Sequence, residues 1–100
     1  MAQEKTAVKE RQNTRLKEPR RYKVLVFNDP ITTMDFVMEI LHLVFFKSMD
    51  ESKQIMLKAH HEGNAVVGVY SYDIAKSKVE KAMERSRSGG YPLKFTYMPE

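Results

Sequence analysis

Three short runs rich in β-branched and aromatic residues, 22–27, 65–70 and 93–98, alternate with stretches whose apolar residues recur every three to four positions. The first run, Tyr-Lys-Val-Leu-Val-Phe, is too short for a helix and is stopped by Asn28-Asp29-Pro30, so it reads as a strand running into a turn. Ala65 to Tyr70 is a second strand, and Leu93, Phe95 and Tyr97 alternate against Lys94, Thr96 and Met98 as a half-buried third. The order strand, helix, helix, strand, helix, strand predicts an α+β fold. Its expected form is a small, mostly antiparallel three-stranded sheet with three helices on one face.

The helices have their own signals. Thr32 or Thr33 can cap the first, Asp35 lies in the first turn where the helix dipole favours an acid, and Phe36/Val37, Ile40/Leu41 and Val44/Phe45 form the buried stripe. Met34, Met38 and Leu43 widen that stripe beyond what one buried face needs, which leaves apolar surface for a ligand. Ser48 and Glu51 have the spacing of a capping box and open the second helix, with Ile55, Met56 and Ala59 inward and Gly63 as its end. Met56 and His60, four apart, share a face. Ser71 and Asp73 open a third helix carrying Ile74, Ala75, Val79, Ala82 and Met83 inward, closed by Gly89-Gly90.

Charge divides the chain in two. Residues 1–21 hold seven basic side chains against three acids, while residues 22–100 hold ten of each, so the whole net charge of +4 sits in the first segment. Low hydrophobicity and dense charge mark residues 1–21 as a flexible arm ahead of a core domain over 22–100. A neutral core lacks the basic face of a nucleic-acid reader, which leaves a basic-tailed nucleic-acid or ribosome-associated module as the weaker alternative. The chain has no cysteine, which excludes disulfides and thiolate metal sites. Neither a secretory leader nor a run of roughly 20 apolar residues is found, so the expectation is a cytoplasmic protein without a membrane segment.

Catalytic signals are missing. His60 and His61 are adjacent, so on a helix their rings diverge by about 100° and do not make the i, i+4 metal pair. His42 sits within the apolar helix as a packed or surface-edge histidine. Asp29 and Asp35 flank a turn and a helix start, where acids serve as caps, and the chain has no phosphate loop or nucleophile elbow. The expectation is therefore a binding module with no catalytic residue, no metal and no cofactor. Asn28-Asp29, the helix start at 32–37 and Met56/His60 can converge on one end of an apolar cleft with an acceptor rim. Taken singly they are equally ordinary turn formers, core filler and a helix cap.

At these residues the chain resembles the ClpS adaptors of the bacterial Clp unfoldase-protease. The resemblance rests on residues 22–29, on Thr32-Thr33-Met34-Asp35-Phe36-Val37 and on Met56-Leu57-Lys58-Ala59-His60. Gly63, Gly68-Val69-Tyr70, Lys78-Val79 and Pro92-Leu93 follow at matching spacing. It implies recognition of N-degrons, proteins whose free first residue is Leu, Phe, Tyr or Trp. Asn28, Asp29 and His60 would surround the α-amino group, and Thr32, Met34, Val37, Met56 and Leu93 would line the side-chain pocket, with Met34 as its gate. It further implies a monomer that docks on the N-terminal domain of a ClpA- or ClpC-type AAA+ unfoldase through Asp73 and Lys78, helped by the arm. Pro30 stands where the family has a second Asp, Thr33 where it commonly has proline, and His61 carries no assigned role.

Overall fold

The computed structural model describes residues 20–100. Its elements follow in the expected order: β1 (Arg21–Phe27), α1 (Met34–Leu43), α2 (Met49–Glu62), β2 (Asn64–Ser71), α3 (Tyr72–Ser88) and β3 (Lys94–Pro99). β1 is the central strand, antiparallel to β2 on one side and to β3 on the other. Arg21 already pairs with Ser71, so the strand starts one residue inside the segment assigned to the arm. The remainder of that segment, residues 1–19, lies outside the described residues.

Side-chain alternation decides which face of the sheet is covered. Val24 and Val26 of β1, Ala65 and Val67 of β2 and Phe95 of β3 join one core with Ile40, Leu41, Met56, Ala59, Ala75, Val79 and Ala82 from the helices. Val66, Lys94 and Met98 on the opposite face are exposed. The β1–β2 register shifts between Val24, opposite Gly68, and Leu25, opposite Val66, so Val67 is a bulge residue. At Gly68 a Cβ would fall 2.7 Å from the Tyr70 hydroxyl.

The helix ends follow local chemistry closely. Thr33, not Thr32, caps α1, its hydroxyl accepting from the Phe36 N–H at 3.1 Å. The expected capping box opens α2: Ser48 N–H donates to Glu51 Oε1 (3.0 Å) and Glu51 N–H to Ser48 Oγ (3.1 Å). Gly63 ends α2 in the left-handed conformation at φ 94°, with its N–H on the Ala59 carbonyl.

Two expectations need correction. α1 stops at Leu43 with Val44 as its cap, so Val44 and Phe45 are buried from the connecting turn and not from the helix. Ile74, read as inward, is 48% exposed. Core contact on α3 runs through Ala75, Val79, Ala82 and Ser86, and Ile74 lies about 100° around the helix from Ala75.

Candidate functional site

β1 delivers its last residues to an opening in the helical side of the domain. Directly after Phe27, the Asn28 N–H donates to the Gly63 carbonyl at 2.9 Å, tying the turn to the end of α2. Asp29 then organises the turn that follows. Its Oδ1 accepts from the N–H groups of Ile31 (2.8 Å) and Thr32 (2.7 Å), and its Oδ2 accepts from the Thr32 hydroxyl at 2.7 Å. Partial burial pushes the Asp29 carboxyl up, but the three hydrogen bonds together outweigh it and hold the group below its ordinary 3.8. A carboxylate has roughly four lone-pair positions, so the turn leaves Asp29 about one acceptor position and a full negative charge.

The opening is a cleft of about 610 Å³ between this turn, the start of α1, the last turns of α2 and the lead into β3. Its floor is apolar and buried: Val26, Val37, Met56, Ala59 and Leu93. Its rim is exposed and carries Asn28, Pro30, Ile31, Thr33, Met34 and His60, with Asp29 and Thr32 half-buried between rim and floor. A volume within the ordinary range for ligand pockets, with apolar depth and a few polar groups at the mouth, suits one bulky apolar side chain attached to a polar head.

All eight residues assigned by resemblance to amine and side-chain recognition, Asn28, Asp29, Thr32, Met34, Val37, Met56, His60 and Leu93, line this single cleft. Sequence reasoning passed over Val26, Ala59 and Ile31. Ala59 sits three residues after Met56 on the same helix face, so the signal was present; Val26 reads from sequence only as sheet core. Ile31 is 65% exposed at the mouth, and no periodicity marks it. His61, beside His60, has its ring centroid 5.5 Å from that of His60 at 69°. Among the described residues no three His, Asp or Glu side chains converge on a metal position.

The residues assigned to docking lie elsewhere. Asp73 and Lys78 of α3 line a second groove of about 290 Å³ with Leu43, Val44, Phe46, Ile74, Ser77 and Lys81, and this groove shares no residue with the first. Asp73 is exposed. Lys78 is not a freely solvated side chain: its Nζ donates to the Val44 carbonyl at 2.8 Å and lies 4.3 Å from the centroid of the Phe46 ring. Desolvation, with repulsion from Lys81 added, lowers its ammonium below the ordinary 10.5. Phe46 holds a left-handed backbone at φ 57° and is 78% exposed.

A small α+β domain with one deep apolar cleft, a polar mouth and no catalytic constellation among its described residues is a peptide-binding module in form. Comparison with known proteins makes this specific. Residues 17–96 match the family model of the ATP-dependent Clp protease adaptor protein ClpS. The chain is 53% identical over 85 residues to the adapter ClpS of Leptospira biflexa, covering 85% of this chain and 75% of that one. It is 46% identical to the adapter ClpS of Acetivibrio thermocellus, covering 97% of this chain and 98% of that one. Among solved structures, Agrobacterium tumefaciens ClpS2 bound to L-phenylalaninamide superposes with a TM-score of 0.81 at 41% identity, over 83% of this chain and all of the other. The chain belongs to the ClpS family, whose members are adaptors to a protease and not enzymes.

Proposed function

We propose that this protein binds other proteins through a free, large apolar first residue, Leu, Phe, Tyr or Trp, and delivers them to a Clp-type AAA+ unfoldase for proteolysis. The observation that carries this reading is one cleft with acceptors at its mouth and buried apolar side chains at its floor. A terminal amine, with a pKa near 7.7 to 8.0, presents a positive charge and three donors. Asn28 Oδ1, the remaining lone pair of Asp29 and an imidazole nitrogen of His60 supply three acceptors, and the Asp29 charge supplies the counter-ion. Below the amine, burial of a Leu or Phe side chain against Val37, Met56 and Leu93 contributes about 1.5 to 3 kcal/mol. Met34, 46% exposed at the rim, would act as the gate that disfavours a β-branched first residue. The relative bound to L-phenylalaninamide, a ligand with a free amine and an aromatic side chain, supports the same chemistry here.

Titration with fluorescent peptides beginning Leu, Phe, Tyr, Trp, Ile, Ala and acetyl-Leu tests it. The first four should bind, and Ile and Ala should bind more weakly. Acetyl-Leu should lose at least about tenfold, because covered acceptors left unpaired cost about 1 to 3 kcal/mol each. Equal affinity for all seven peptides would sink the proposal.

Delivery is assigned to the second groove. Asp73 and the Lys78 groove would meet the N-terminal domain of a ClpA- or ClpC-type unfoldase, with the adaptor acting as a cytoplasmic monomer. The two grooves share no residues, so the two functions should separate. Asp73→Lys is expected to abolish co-sedimentation with the unfoldase N-terminal domain while leaving peptide affinity unchanged. A loss of both together would argue against separate surfaces.

A further inference from the structure

Gly89 ends α3 at φ −81° and ψ −6°, a right-handed conformation open to any residue, so its backbone does not call for glycine. Space does. A Cβ at position 89 would lie 2.9 Å from both Cε1 and Cζ of Phe36, closer than such carbons pack. The same Phe36 ring meets Tyr91, with centroids 4.5 Å apart. Phe36 of α1 is thus packed against the segment that leaves α3, and this segment is fixed in turn by the Tyr91 N–H on the Ser86 carbonyl at 2.9 Å. Two residues beyond Tyr91 comes Leu93, part of the cleft floor. On α1, Met34 and Val37 also line the cleft, while Phe36 projects about 100° from Val37 and about 200° from Met34.

We propose that Phe36 is a positioning residue that sets the width of the cleft. Its ring, in contact with both Gly89 and Tyr91, fixes the spacing of α1 from Leu93 and so determines which apolar first residue fits best. Phe36 does not itself line the cleft. This deepens the proposed function and rests on it.

Four proteins test the inference: wild type, Gly89→Ala, Phe36→Leu and the double variant, each titrated with Leu-first, Trp-first and acetyl-Leu peptides. Added bulk at 89 pushes α1 away from Leu93, so Gly89→Ala should weaken Leu-first more than Trp-first binding, changing their ratio by about threefold or more. Phe36→Leu lets the segments close and should move the ratio the opposite way. The double variant, in which the smaller side chain relieves the crowding, should return toward wild type. The preference for a free over an acetylated terminus should stay constant throughout, because the rim is untouched. An unchanged Leu-to-Trp ratio in both single variants, with thermal melts showing each folded, overturns the inference and leaves the proposed function standing. So does a double variant that deviates further than either single one. Should wild type itself fail to discriminate free from acetylated termini, the functional reading is what falls.

Discussion

The Asp29 carboxylate shapes the turn and charges the mouth of the cleft with the same three hydrogen bonds. Its folded value lies below 3.8, so the stability it contributes is complete above that value and is lost as pH falls through the lower folded one. Thr32→Val removes the hydroxyl that donates to Oδ2. The variant is expected to be less stable than wild type by about 1 kcal/mol near pH 7, and the gap should close at acid pH, where both proteins carry a protonated Asp29. Urea unfolding at pH 7 and at a pH below the folded Asp29 value measures both halves of that expectation. A gap of the same size at the two pH values would show that the hydroxyl acts through packing and not through the carboxylate. Pro30 leaves this arrangement intact, because among the described residues every donor to Asp29 comes from Ile31 and Thr32.

α2 and its ends show how far an element can be read from its residues. The Ser48–Glu51 box and the Gly63 terminus follow from short-range chemistry: a hydroxyl and a carboxylate three apart, then a residue without a side chain. Gly63 is also where α2 meets the cleft, since its carbonyl accepts from Asn28. Nothing lies within 4 Å of a Cβ built there, so Gly63→Ala meets only the left-handed backbone and should cost about 1 to 2 kcal/mol by chemical denaturation. A loss well beyond that would mean that the Asn28 turn moves with it.

What escaped the sequence has a common cause. The β-bulge at Val67, the outward turn of Ile74 and the full burial of Ser52, whose hydroxyl has no hydrogen-bond partner among the described residues, depend on how elements meet. No local pattern encodes them. The cleft was legible only in part for the same reason. Asn28, Asp29, the helix start at 32–37, Met56 and His60 could be singled out by type and spacing, but their convergence is a tertiary fact, and it was family resemblance that joined Leu93 to them. Ile31 carried no signal of either kind.

At the scale of the molecule, one core holds both walls of the cleft. Ile40 and Leu41 of α1 and Met56 and Ala59 of α2 belong to the same cluster as the inner face of the sheet. A domain of about 80 residues has a total stability of roughly 4 to 12 kcal/mol, so one large cavity consumes much of it. Leu41 is fully buried and does not line the cleft. Leu41→Ala should cost about 2 to 5 kcal/mol and lower Tm by at least about 10 °C, while the protein that remains folded at low temperature binds Leu-first peptide with little change. A melt shifted by only a degree or two would show that the core tolerates the void.

The central place of β1 has a mechanical consequence. The cleft's polar mouth hangs from the end of a strand bonded along both edges, and its turn is tethered to Gly63. Traction along the axis of β1 loads two ladders in shear at once. Peeling one ladder from its end needs far less force, and this geometry prevents it. Under tension the cradle should therefore outlast the grip, so that an engine hauling cargo away strips the guest and leaves its host folded for another round.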